Sequence, residues 1–147
     1  MNVETKTDIK TNVKQAVPFF MVSDMQASLR FYVDGLGFEK TNQWIVDGKV
    51  RWCWLQRGGA ALMLQEMERE GRHAWKTEGK RGLGVGVYFI CEDAIALWRE
   101  VTTRGIAAER PFVGNAMWVT SVSDPDDYRL HFESLTDAPE ESVYTGD

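Results

Sequence analysis

Imidazole and thiol are the scarce side chains here: two histidines, His73 and His131, and two cysteines, Cys53 and Cys91, among 147 residues. So few histidines leave little imidazole for metal chemistry, and nothing in the two cysteines asks for a disulfide. Both cysteines fall in apolar, strand-like runs, where buried free thiols are expected. Long apolar runs are also missing, and nothing approaches the roughly 18–20 residues that a membrane-spanning helix needs. The first residues, Met1-Asn2-Val3-Glu4-Thr5-Lys6, carry charge and no apolar stretch, so no secretory signal is expected. Positive charge is not in excess, with 17 Lys and Arg against 22 Asp and Glu and a net charge of −5. That balance removes the usual electrostatic attraction to nucleic acid or to an anionic membrane. These absences point to a cytoplasmic protein, and long-range charge would steer cationic partners to it.

What the chain does have is apolar mass and tryptophan. Hydrophobic residues make up 44% of it, enough for the core of one domain. Beside seven Phe and four Tyr stand six Trp, more tryptophan than a core of this size normally needs.

The order of elements follows from pattern and punctuation. Residues 1–14 are polar and read as a flexible arm. A strand is expected at Val17–Val22, then a cap at Ser23-Asp24 and a helix over Met25–Val33, with apolar side chains at helical spacing. Gly35 and Gly37 end it. Strands at Glu39–Val46, Val50–Gln56 and Ala60–Glu66 follow, joined by turns at Asp47-Gly48 and Gly58-Gly59. A charged, Gly-rich segment at 67–82 reads as a linker able to act as a flap.

The second half repeats the first. A strand at Gly86–Cys91 meets a cap at Glu92-Asp93. The helix that follows carries Ala94, Leu97, Trp98 and Val101 on one face and ends at Gly105. Extended segments are expected near Ala107–Phe112, Met117–Ser123 and Tyr128–Ser134. Asp24 and Asp93 stand 69 residues apart, and Gly37 and Gly105 stand 68 apart. Gly58-Gly59 and Asp126-Asp127 are also 68 apart. The fold class expected is therefore α+β: two tandem βαβββ modules, residues 15–66 and 83–135, with curled mixed sheets around a pocket. An acidic tail, 136–147, reads as solvated surface.

Hairpin register then assigns faces. A two-residue loop at Gly58-Gly59 sets Gln56 opposite Ala61, Trp54 opposite Met63 and Trp52 opposite Gln65. Trp52, Trp54, Met63 and Gln65 then share a mixed face, and Cys53, Leu55, Leu62 and Leu64 share an apolar, helix-covered one. A two-residue loop at Asp126-Asp127 sets Val122 opposite His131 and Thr120 opposite Glu133, with Trp118 on the same face. The expected ligand-binding set is Trp52, Trp54, Met63, Gln65, Trp118, Thr120, His131 and Glu133.

The stretch Val17-Pro18-Phe19-Phe20-Met21-Val22-Ser23-Asp24, with Ser28-Leu29-Arg30-Phe31-Tyr32 and Leu36-Gly37-Phe38, resembles the opening module of the vicinal oxygen chelate superfamily. That superfamily includes glyoxalase I, extradiol dioxygenases, and fosfomycin- and bleomycin-resistance proteins. The closing Asp124-Pro125-Asp126-Asp127-Tyr128-Arg129-Leu130 resembles its DPDG-type final hairpin, with Asp127 in place of the usual Gly. The resemblance covers roughly residues 17–134 and implies paired modules enclosing a pocket, usually within a homodimer.

It also implies four metal-ligand positions, which fall here on Val17, Met63, Gly86 and His131. Three of these four cannot bind a hard cation, against the roughly three protein ligands a catalytic metal needs. The pattern is closer to the bleomycin-resistance-like branch, which works without a metal and sequesters flat cationic aromatic compounds in acidic, Trp-lined clefts. The reading is a small-molecule-binding protein with no cofactor, no nucleic-acid partner and no membrane partner. Its alternative is a metal-dependent glyoxalase-like lyase or transferase, in which a divalent metal is held by His131, Glu133 and His73. His131 is read as a pocket-wall residue bonded to a neighbour, or as a base, metal ligand or ligand donor. Trp52 and Trp54 are read as stacking platforms or as packing in the core or a dimer interface.

Overall fold

The computed structural model describes residues 12–68, 70 and 81–147. His73, with its expected role as a metal ligand, and nearly all of the N-terminal arm and the linker lie outside these residues. Asp24, in extended backbone, accepts from the amides of Gln26 and Ala27 and starts helix α1, Met25–Leu29. The helix widens into a π-helical turn over Arg30–Gly35, where the apolar spacing predicts an ordinary α-helix. Asp93 caps helix α2, Ala94–Thr103, in the same way through the amide of Ala96. The strands are β1 Phe19–Val22, β2 Glu39–Val46, β3 Lys49–Arg57, β4 Ala60–Glu66, β5 Gly86–Ile90, β6 Phe112–Gly114, β7 Met117–Ser123 and β8 Arg129–Leu135. They form two four-stranded mixed sheets, ordered β1-β4-β3-β2 and β5-β8-β7-β6.

The two sheets repeat each other position by position. In the first, β1 runs parallel to β4 with Phe19 beside Met63; in the second, β5 runs parallel to β8 with Tyr88 beside His131. Tandem βαβββ modules are thus present in the structure as well as in the spacing.

The first hairpin has the expected register: Trp52 opposite Gln65, Trp54 opposite Met63 and Gln56 opposite Ala61. The second differs by one residue. Val122 pairs with Leu130, Ser121 with His131, Thr120 with Phe132 and Trp118 with Ser134. The cause is the turn. Asp124-Pro125-Asp126-Asp127 is closed by a bond from the Asp127 amide to the Asp124 carbonyl, with Asp127 left-handed at φ 68°. A type I turn in a hairpin requires this extra left-handed residue, so the loop is one residue longer than the two-residue form. One residue of slip turns every β7 side chain to the opposite face.

A single core joins the modules through their helix-bearing faces. Phe20, Leu55, Leu64, Phe38, Leu97, Val101, Leu130 and Phe132 belong to one buried cluster. Phe20 stacks on Tyr128 at 4.2 Å, and Phe38 meets Phe89 edge-on at 6.0 Å. Polar links cross the same junction. The Tyr32 hydroxyl donates to Asp124 Oδ2 at 2.7 Å, the Ser23 amide to Asp126 Oδ2 at 3.1 Å and the Tyr128 hydroxyl to the Met21 carbonyl at 3.0 Å. Asp126 also holds Arg81 as an ion pair.

The acidic tail is not merely solvated surface. Residues 141–144 run antiparallel to β6, with the Val113 amide bonded to the Ser142 carbonyl and the Glu141 amide to the Val113 carbonyl, both at 2.9 Å. Tyr144 wedges edge-on between Trp98 and Trp118 at 6.0 and 5.9 Å. The tail thus covers an otherwise open sheet edge, which outweighs the hydration of its few carboxylates.

Candidate functional site

Packing through the helix faces leaves the other face of each sheet open. On the first sheet, pairing puts Phe19, Met63, Gln65, Trp54, Trp52 and Trp44 on one open face. Trp44 is 58% exposed and Phe19 46%. Four of the expected site residues, Trp52, Trp54, Met63 and Gln65, therefore share this face. Trp54 Nε1 donates to Gln56 Oε1 at 3.2 Å, which fixes the indole against the sheet. At the linker end lies a cleft of about 630 Å³, walled by Trp44, Gln65, Glu66, Glu68 and Glu70. Glu66 is held by Arg51 at 2.9 Å and caps α1 through the Met25 amide; Glu68 and Glu70 stand exposed beside it.

On the second sheet the open face carries Tyr88 and Ile90 from β5, His131 and Glu133 from β8, and Ser121 and Val119 from β7. His131 and Glu133 lie on the expected face. Trp118 and Thr120 do not, because the longer turn reverses β7. Thr120 is fully buried and its hydroxyl donates to the Ala94 carbonyl at 2.8 Å, so it serves the start of α2. Trp118 packs under Tyr144 on the same helix-bearing side.

His131 is the most constrained polar group on this face. Its Nδ1 lies 2.8 Å from Ser121 Oγ, and its ring stacks on Tyr88 at 4.5 Å with planes 22° apart. Burial lowers its pKa below the ordinary histidine value and the Arg129 guanidinium lowers it further, against the weaker pull of Glu109 and Glu133. A neutral imidazole at physiological pH follows. It borders a cleft of about 470 Å³, lined with Gly84, Gly86, Tyr88, Arg129 and Arg81.

Sequence reasoning misses Trp44, Tyr88 and Ser121. Alternation in β2 and β5 carries the signal for the first two. Ser121 is hidden as long as the second hairpin is given a two-residue loop.

A third cavity, about 770 Å³, runs along the junction of the modules between Pro18, Phe38, Arg57, Phe89 and Cys91. Burial raises the pKa of Cys91, and that of Cys53 to about 11, which disfavours the reactive thiolate in both.

Of the four positions the resemblance assigns to metal, only His131 bears a donor side chain. Among the described residues no three of His, Cys, Asp and Glu come together as a cation site. Of the three ligands in the metal-dependent alternative, His131 and Glu133 share one sheet face, and His73 lies outside the described residues. The clefts on the two open faces are separate, one lined by first-module residues and the other by residues 81–86 and the second sheet. Among the described residues, neither of these clefts brings Trp52 or Trp54 beside His131. No helix among the described residues is long and apolar enough to cross a membrane.

Comparison with known proteins accords with this geometry. No curated protein matches the chain in sequence. Among solved structures, the chain is similar to TnmS3, an antibiotic binding protein from Streptomyces sp. CB03234 (21% identity over 83% of this chain and 97% of that one, TM-score 0.60). It is also similar to a glyoxylase/bleomycin resistance protein/dioxygenase domain from Frankia sp. EAN1pec (17%, 86% and 95%, TM-score 0.64). A third is TioX from Micromonospora sp. ML1 (16%, 82% and 99%, TM-score 0.62). At these identities the likeness speaks for the fold. The family's sequence profile, however, matches residues 14–132, and with the duplicated βαβββ sheets it establishes that the chain belongs to the Glyoxalase/Bleomycin resistance protein/Dioxygenase superfamily.

Proposed function

We propose that the protein binds a flat, cationic, aromatic small molecule and sequesters it without a metal. The observation that carries this reading is the open face of the first sheet, which holds Phe19, Trp44, Trp52 and Trp54, with Trp44 lining the cleft of the exposed Glu68 and Glu70. Indole faces attract cations by about 0.5–2 kcal/mol each, and stacking adds a similar amount. TnmS3 is an antibiotic binding protein of the same fold.

The pocket of this reading is completed by a second copy. Each open face leaves large apolar side chains in water, Phe19 and Trp44 on the first sheet and Tyr88 and Ile90 (73% exposed) on the second. Their clefts differ in charge, with glutamates in excess on one and arginines in excess on the other. A two-fold pair setting the first face of one protomer against the second face of the other covers both. We place the protein in the cytoplasm, in keeping with its two free, buried or half-buried thiols.

Tryptophan fluorescence, titrated with aminomethyl-anthracene in the presence of EDTA, tests the reading, together with metal analysis and light scattering of the purified protein. Saturable quenching by a metal-free dimer is expected. Stoichiometric divalent metal, lost together with lyase or transferase activity in His131→Ala, would overturn it in favour of the enzymatic alternative.

A further inference from the structure

The hydroxyl of Ser121 sits in an unusual position for a sheet face that is otherwise open. The residue is only 3% exposed, and among the described residues the one hydrogen-bond partner of Oγ is His131 Nδ1. A buried hydroxyl that accepted a proton from Nδ1 would leave its own O–H without an acceptor, and an unsatisfied buried donor is costly. The favourable arrangement has Ser121 donating to a bare Nδ1. The ring proton of a neutral His131 then resides on Nε2.

Nε2 faces the cleft. A Cβ added at Gly86 would lie 3.6 Å from it, so the absent side chain of Gly86 keeps the approach open. Among the described residues no group accepts from Nε2, and Tyr88 stacks on one face of the imidazole. We infer that His131, held by Ser121 and Tyr88, is a fixed hydrogen-bond donor that selects bound molecules bearing a ring carbonyl oxygen. Ser121 is a positioning residue, and its role is to exclude the other tautomer. The inference rests on the proposed pocket and adds a chemical requirement to it: the ligand carries a cationic aromatic body for the first sheet and an acceptor oxygen for the second.

Two measurements on the full chain test this. NMR shifts of the His131 ring nitrogens read the tautomer directly. The proton is expected on Nε2 in the wild type, with the Nδ1-protonated form gaining population in Ser121→Ala. Calorimetric titration then compares aminomethyl-anthraquinone with aminomethyl-anthracene, which match in shape and charge and differ in the ring carbonyls. About fivefold tighter binding of the anthraquinone is expected, as for one net hydrogen bond. The preference should vanish in His131→Phe, which keeps a ring on Tyr88 but has no donor. A proton on Nδ1 in the wild type, or an unchanged ratio in His131→Phe, overturns the inference while leaving the pocket intact. Failure of both probes to bind overturns the pocket reading, and the inference falls with it.

Discussion

The two modules share one plan and differ most at their final hairpins. Gly58-Gly59 closes the first as a free loop, and a Cβ added at either glycine would meet nothing within 4 Å. Asp124-Pro125-Asp126-Asp127 closes the second and is a structural hub. Asp124 accepts from the amides of Asp126 and Tyr128 at 2.8 and 2.9 Å and from the Tyr32 hydroxyl across the junction. The open faces differ in the same spirit. The first is aromatic and amide-bearing, whereas the second carries an imidazole, a carboxylate and an arginine. One half of the duplication has a simple turn and a stacking surface, and the other carries the contacts that bind the halves together.

The largest test of that contrast is stability. Asp124→Ala strands the Tyr32 hydroxyl and two amides in a buried site and should cost about 3 kcal/mol in urea unfolding. The counterpart, Gly59→Ala, should stay within about 0.5 kcal/mol. Equal costs would break the distinction. A smaller effect sharpens it. Asp127 adopts φ 68°, which an L side chain accommodates with strain, so Asp127→Gly should stabilise the protein by about 0.5–1 kcal/mol. Destabilisation there would mean that the Asp127 side chain contributes more than its backbone costs.

The smallest effect is one of pH. The position of His131 in the first module is held by Met63, which does not titrate. Burial and Arg129 lower the folded-state pKa of His131, so the unfolded chain takes up its proton first as pH falls. His131 therefore contributes stability above the ordinary histidine pKa, and that contribution is lost from there down through the lowered folded value. Tyr88, Ser121, Arg129, Glu109 and Glu133 are the groups that face or influence the ring. Unfolding midpoints compared with His131→Met should show the wild type losing more stability between pH 7 and 5. Parallel curves would contradict the assigned direction.

The sequence is most legible where turn chemistry is simple. A two-residue Gly-Gly loop leaves one register, so Trp52, Trp54, Met63 and Gln65 can be grouped from the sequence alone. The second hairpin defeats the same logic because Asp126-Asp127 resembles a two-residue loop and is not one. Pro125 carries the correcting signal: it fits the second position of a type I turn, and that turn brings an extra left-handed residue. The resulting slip sets Thr120 and Trp118 on the helix-bearing face and brings Ser121 to the open one. The tail escapes a sequence reading for another reason. It reads as acidic, yet backbone bonds to β6 and the Tyr144 ring decide where it lies, and docking onto β6 and the two tryptophans is a tertiary event that no local pattern announces. The π-helical turn after α1, which buries Tyr32, likewise has no signal in the apolar spacing.

Ligand binding, as proposed, depends on the open tryptophans of the first module and not on those covered in the second. Calorimetric titration of the metal-free protein with aminomethyl-anthracene, in the wild type, Trp52→Ala and Trp118→Ala, tests this most directly. Trp52→Ala is expected to weaken binding about tenfold, the value of one cation–π or stacking contact, while Trp118→Ala leaves it unchanged. Unchanged binding in Trp52→Ala, or an equal loss in both variants, would contradict the proposed mode.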